Sequence, residues 1–253
     1  MKTLYNNLSF YEKYLKYKNK YLTLKTQIGG LQPHIFLLKN NTYIPIPNII
    51  TTLIINDFTN SSLLNPIPVN ITTLIINSPD MIIDVGLIPN SVTNLTLTYT
   101  RQLSPGIIPN SITNLTLIYD HPLSPGVIPN SVDILNMPIF NTKLNYGDIP
   151  RNVSELFLEK YNQELLPGNI PNEIVRKMNE EIITNKLIYL NLASYNQILK
   201  KNVLPNSINV LILNKYKKEL SLDILPSNIK SLSLPSDYFI DDLKKLLPDL
   251  SVI

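Results

Sequence analysis

The chain has 253 residues and a net charge of +3, with no Cys, no Trp, 20 Pro, only 7 Gly, and 32 Asn against a single Ala, Ala193. Without Cys there is no disulfide framework, thiol nucleophile or thiolate metal site, and a chain with one Ala is not built from ordinary amphipathic helices. Hydrophobic residues make up 44% and charged residues 16%, a balance that can bury a core and is not that of a disordered chain.

In chain order, the first element is basic. Residues 1–30 carry Lys2, Lys13, Lys16, Lys18, Lys20 and Lys25 against Glu12 alone, or +5, which leaves 16 basic and 18 acidic residues, or −2, for the remainder. Ser9 and Glu12 form a capping box, and Phe10, Tyr14, Tyr17, Tyr21, Leu24 and Ile28 follow at spacings of three and four until Gly29-Gly30. This predicts a helix of about 19 residues with a Tyr-rich seam. It either caps the end of the molecule, acts as a separable leader, or touches a membrane surface or nucleic acid through its lysines.

Residues 31–46 are expected to cap the body, and residues 47–235 are a repeat. The run Ile108-Pro109-Asn110-Ser111-Ile112-Thr113-Asn114-Leu115-Thr116-Leu117 recurs from Pro47, Pro68, Pro89, Pro129, Pro150, Pro205 and Pro226, mostly in steps of 20 or 21 residues. An aliphatic residue lies three after each Pro, a Leu six after, and another apolar residue eight after, as in Ile112/Leu115/Leu117. Ten before most anchors stands an aromatic: Phe58, Tyr99, Tyr119, Phe140, Tyr161, Tyr195, Tyr216 and Tyr238, with Pro79 the exception. Three before stands Asn65, Gly86, Gly106, Gly126, Gly147, Gly168, Asn202 or Asp223, residue types that tolerate positive φ. Pro-Gly at 105–106, 125–126 and 167–168 predicts a type II turn at the corner.

One gap is longer. The triplet Leu187/Leu190/Leu192 arrives 13 residues late, and the segment 173–186, with Ile174, Met178 and Ile182 spaced by four, predicts a short helix bulging from the body. Residues 236–253 form a C-terminal cap with a short helix.

The expected fold class is therefore a repeat solenoid, leucine-rich-repeat-like, with short parallel β-strands stacked on irregular, turn-rich return segments. A Leu-x-Leu strand points both leucines inward and the residue between them outward, and stacked repeats then bury one continuous core. The outward residues are Ile54, Ile75, Thr96, Thr116, Asn136, Phe157, Asn191, Ile212 and Ser233. They are the candidate partner-binding face, and Phe157 is its one aromatic. A loop or the 173–186 helix covering Phe157 would instead make it core.

The units Ile88–Gly106 and Ile108–Gly126 resemble FNIP repeats, a leucine-rich-repeat relative of social amoebae and mimivirus-type giant DNA viruses. The name describes a Phe-Asn-Ile/Gln-Pro run, largely kept at Tyr161-Asn162-Gln163 and Tyr195-Asn196-Gln197-Ile198 and lost at Tyr99-Thr100-Arg101-Gln102. The resemblance covers roughly Ile46 to Pro248. It implies a solenoid and no catalytic residues. Residues 11–30 also resemble a leader borne by unrelated giant-virus proteins, and Gly29-Gly30 resembles sites cut by viral proteases of the ubiquitin-like-protease type.

Little else carries chemistry. His34 and His121 are far apart, Ser104, Ser111, Ser124 and Ser131 recur with the repeat, and Glu155 and Glu159 flank Phe157 as solvated strand charges. No His/Asp/Glu cluster has metal-ligand spacing. Asn-x-Ser/Thr triplets at Asn70, Asn94, Asn114 and Asn152 belong to the repeat. A near-neutral body argues against a nucleic-acid partner, no apolar run reaches the ~18–20 residues of a membrane span, and the N-terminus lacks a secretory h-region. The expectation is a non-enzymatic, cofactor-free scaffold, intracellular or virion-associated and not secreted, that binds a protein partner through its sheet. The alternatives are a structural or virion protein whose leader directs processing or packaging, and a ubiquitin-ligase substrate receptor without its own F-box.

Overall fold

The Leu-x-Leu spacing is realised as a ladder of short parallel strands. The computed structural model describes residues 35–41, 45–59, 64, 66–172, 174–178, 181–185, 187–238 and 251–252. The helices expected within residues 1–30 and 236–253 fall on segments outside these residues.

The strands are β1 (Ile35–Lys39), β2 (Thr52–Asn56), β3 (Thr73–Asn77), β4 (Asn94–Thr98), β5 (Asn114–Ile118), β6 (Ile134–Asn136) and β7 (Glu155–Phe157). After them come β8 (Ile174–Met178), β9 (Glu181–Asn185), β10 (Tyr189–Asn191), β11 (Val210–Ile212), β12 (Ser231–Ser233) and β13 (Ser251–Val252). All but β8 and β9 form one eleven-stranded sheet in sequence order, with each neighbouring pair parallel. The register is the repeat itself: Leu74 stands beside Leu53 and Leu95, and Leu115 beside Leu95 and Leu135.

The core lies on one side of this sheet and is layered by repeat position. The two strand leucines or their equivalents, the aliphatic residue after each anchor and the Ile or Leu before it are buried along nearly the whole stack, as in Ile108, Ile112, Leu115 and Leu117. Two turns per repeat bend the chain. The anchor Pro carbonyl accepts the N–H three residues on, as from Val92 to Pro89 (3.0 Å) and Ile112 to Pro109 (3.2 Å). At the opposite corner Val127 N–H donates to Ser124 O (3.1 Å) across Pro125-Gly126, and Gly126 holds φ +86°. That is the type II geometry, which a Cβ disfavours. Asn202 takes the same left-handed role (φ 65°), while the corner at Asp223 closes its Ile224-to-Ser221 bond (3.1 Å) without positive φ.

The aromatics form a second column through the core. Phe140, Tyr161, Tyr195 and Tyr216 are 0% exposed and lie ring over ring, with centroids 6.2, 6.4 and 6.4 Å apart and planes within 7°. Each tyrosine also ties two turns together. Leu103, Leu144, Leu165 and Leu199 donate their backbone N–H to the hydroxyls of Tyr119, Tyr161, Tyr195 and Tyr216, at 3.3 to 3.4 Å. Phe140 sits where such a hydroxyl would meet Leu123. Phe140→Tyr is therefore expected to stabilise by about 1 kcal/mol, the net worth of one buried hydrogen bond. The check is a higher denaturant midpoint at unchanged slope; a lower midpoint would mean the corner has no room for the oxygen.

Next to the aromatics runs a ladder of side-chain carbonyl and carboxylate oxygens. The side-chain oxygens of Asp120, Asn141, Asn162 and Asn196 accept the backbone N–H of Asn141, Asn162, Asn196 and Lys217 in the following turn, at 2.7 to 2.8 Å. The polar residue that follows the aromatic thus pairs a corner N–H that lies outside the strand ladder.

Two features depart from the sequence expectation. The sheet begins earlier, because Ile35–Lys39 pairs with β2 at a step of 17 residues (Phe36 beside Leu53) and so falls outside the 20–21-residue frame. The segment 173–186 is not a helix: β8 and β9 form an antiparallel hairpin, Ile174 opposite Asn185 and Met178 opposite Glu181. Ile174, Val175, Ile182, Ile183 and Thr184 are β-branched, and their preference for extended backbone overrides a four-residue spacing that short strands also satisfy.

Asp148 is the one buried carboxylate among the described residues, at 2% exposure. Its Oδ2 accepts Asn145 N–H (2.7 Å), its Oδ1 has no partner, and burial raises its pKa above the usual carboxylate range. One turn on, Asn169 makes the same bond to Leu166 N–H (2.7 Å) with a neutral amide. Because the folded pKa is raised, the unfolded chain ionises first, and stability falls as pH climbs from the ordinary Asp value of about 3.9 to the folded one. Asp148→Asn should thus stabilise by roughly 1 kcal/mol at pH 7 and make no difference below the carboxylate range. Denaturant melts at pH 3 and pH 7 read this directly, and an equal gain at both would remove ionisation as the cause.

Candidate protein-binding face

Every residue proposed for the partner-binding face lies in one straight row. The parallel register sets Ile54 beside Ile75, Thr96, Thr116, Asn136, Phe157, Asn191, Ile212 and Ser233 in turn. All nine are half-buried, as expected of side chains that stand off a sheet and lean on their neighbours. Leu37 of β1 extends the row by one residue and is 43% exposed. No member of the row is charged.

Phe157 is neither free nor core. Among the described residues no helix covers it, and its ring meets Tyr189, with centroids 4.8 Å apart and planes 34° from parallel, which leaves it half-buried. Tyr189 pairs with Glu155 in the adjacent outward column, where the sequence pattern did not single it out. Burial, reinforced by Glu155 and Glu159, raises the Tyr189 pKa and keeps the phenol neutral. The two rings make an amphipathic aromatic patch where β7 meets β10, beside the point at which the hairpin leaves the body.

Upstream of this patch the sheet face forms an open groove of about 330 Å³. Thr96, Thr116 and Asn136 run along its middle, Asn94, Asn114 and Ile134 along one side, and Ile75 and Phe157 stand at its ends. None of its lining residues is charged.

The residues weighed for catalysis are not brought together. His121 packs on Tyr119, with ring centroids 5.3 Å apart, and Ser131 Oγ donates to Ile112 O of the preceding repeat (2.7 Å). His34 lies outside the described residues. Among the described residues no group of three or more His, Cys, Asp or Glu could hold a metal ion, and no helix is long and apolar enough to cross a membrane.

A one-directional stack of short parallel strands, with a buried leucine ladder and an uncharged outward face, is a leucine-rich-repeat-like solenoid. The family model described as FNIP Repeat matches residues 79–120, 99–138, 177–216 and 195–237, so these segments of the chain are FNIP repeats. Among solved structures, it is similar to that of CroV588, a circular LRR protein, at 24% identity and a TM-score of 0.59. The match covers 76% of this chain but only 28% of that one, so the likeness is one of fold. No curated protein matches the sequence significantly.

Proposed function

We propose that the protein is a non-enzymatic scaffold that binds a protein partner through its outward sheet face, with Phe157 and Tyr189 as the anchor. The observation that carries this reading is Phe157, the one aromatic in an uncharged row, backed by Tyr189 of the adjacent column. Aromatic side chains that fill such positions supply a disproportionate share of interface energy. The rigid sheet behind them means little conformational entropy is lost on binding. The tyrosine and asparagine ladders, by contrast, spend their polar groups on closing turns.

Phe157→Ala is expected to weaken partner binding by ~2 kcal/mol or more, about 30-fold in Kd, with the melting temperature nearly unchanged. Titration of an isolated partner against both forms of the protein checks it. A melting temperature lowered as far as in a core-leucine variant would make Phe157 a packing residue and remove the anchor.

A further inference from the structure

We propose that the groove over β4, β5 and β6 is a binding site for a neutral saccharide. The inference rests on the sheet face being the working surface, and names a ligand class for it. Four hydrogen-bonding side chains stand there without a side-chain partner among the described residues: Thr96, Asn114, Thr116 and Asn136. They contrast with Asn141, Asn162 and Asn196, whose amides close the turns of the same solenoid. The amide oxygen of Asn136 is enclosed with no donor at all, a state that costs ~1–3 kcal/mol unless water or a ligand supplies one.

The composition of the groove selects among ligands. No cation lines it, so a phosphate backbone or an acidic sugar finds no counter-charge. Amides and hydroxyls both donate and accept, matching the hydroxyls of a neutral sugar. Phe157 closes the end of the groove, with Tyr189 on its far side, offering an aromatic surface to the C–H face of a pyranose. Geometry disfavours an extended peptide along the row. Adjacent strands are ~4.8 Å apart, whereas a strand presents like-facing groups every ~6.8 Å, so the two fall out of step within three strands. A pyranose ring spans about one inter-strand step. The volume of about 330 Å³ lies at the small end of ligand clefts, ~300–1,000 Å³, and suits a short stretch of such rings.

The test is calorimetric titration of the full chain with cellotetraose, chitotetraose, mannotetraose and maltotetraose, with tetragalacturonate as the acidic counterpart. At least one neutral sugar should bind and tetragalacturonate should not. Thr116→Val and Asn136→Leu should each weaken binding at least tenfold at a melting temperature no lower than that of the unmodified protein, and Ser104→Ala, at a distant corner, should leave binding unaltered. Should either variant lose its fold, amide shifts of the unmodified protein decide: they must move at residues 94–96, 114–116 and 134–136. A high-mannose glycoprotein, titrated before and after removal of its N-glycans, separates a protein-borne glycan from a free one. No binding by any neutral sugar, binding indifferent to both groove variants, or shifts centred elsewhere would overturn the proposal. Those results leave the Phe157→Ala measurement on a protein partner untouched, and that measurement alone decides whether the face binds protein.

Discussion

Leu115→Ala is expected to destabilise the protein by ~2–5 kcal/mol, the cost of removing a buried side chain and leaving a cavity. Leu115 is 1% exposed, sits mid-stack with Leu95 and Leu135 on either side, and has core above it in both directions. No neighbour can shift into the space without breaking its own register. Thr116→Ala, one residue along and outward, should change stability by no more than ~0.5 kcal/mol, as for an ordinary surface site. Paired denaturant melts read both. Equal losses would mean the strand faces are inverted.

Tyr195→Ala should cost ~3–5 kcal/mol, as for large aromatics in a core. The residue is 0% exposed, stacks between Tyr161 and Tyr216, and accepts the Leu165 N–H at 3.4 Å. Tyr195→Phe separates those contributions. It keeps the stack and removes only the hydroxyl, so ~1 kcal/mol is expected, the mirror of the gain at Phe140. Burial pushes the Tyr161 and Tyr195 phenols up to about 12. The unfolded chain therefore releases these protons first, and stability falls as pH rises from about 10 toward 12. Tyr195→Phe should blunt that alkaline loss in urea melts at pH 9 and pH 11. An unaltered slope would place the hydroxyl in water.

Much of this was legible in the residues because two periods coincide. A 20–21-residue repeat sets which residues stack, and the two-residue pleat sets which way each points, so the buried Leu115 and the outward Thr116 could be assigned from spacing alone. The positive φ at Gly126 and Asn202 was legible for a similar reason, since few residue types accept that conformation. What failed was local or out of period. The hairpin at 174–185 carries a helix-like signal because Ile174, Met178 and Ile182 satisfy both patterns over so short a run. Strand β1 is invisible to the repeat because its step of 17 breaks the frame. Tyr189 stands in the outward column beside the Leu-x-Leu centre, where the repeat sets no residue type. Its partnership with Phe157 depends on β10 pairing with β7 across the inserted hairpin. The role of Asn162 also needed coordinates, for a Tyr-Asn-Gln run announces a motif and not a hydrogen bond to the next turn.

That pairing of β7 with β10 has a consequence for how such a chain can change over generations. Tyr189 meets Glu155 in the same alignment that Ile134 keeps with Glu155 one turn earlier, although the hairpin intervenes on one side and an ordinary return on the other. Each turn asks of its neighbour only a donor, an acceptor and an apolar ring at fixed places, and it asks the same of whichever unit stands there. Copying or losing whole units, or letting a corner grow an outgrowth, therefore leaves every rung with a mate. Gain or loss of half a unit leaves two rungs facing the wrong way. Lineages of such proteins should differ in the number of turns and in the ornaments at their corners far more readily than in the length of a turn.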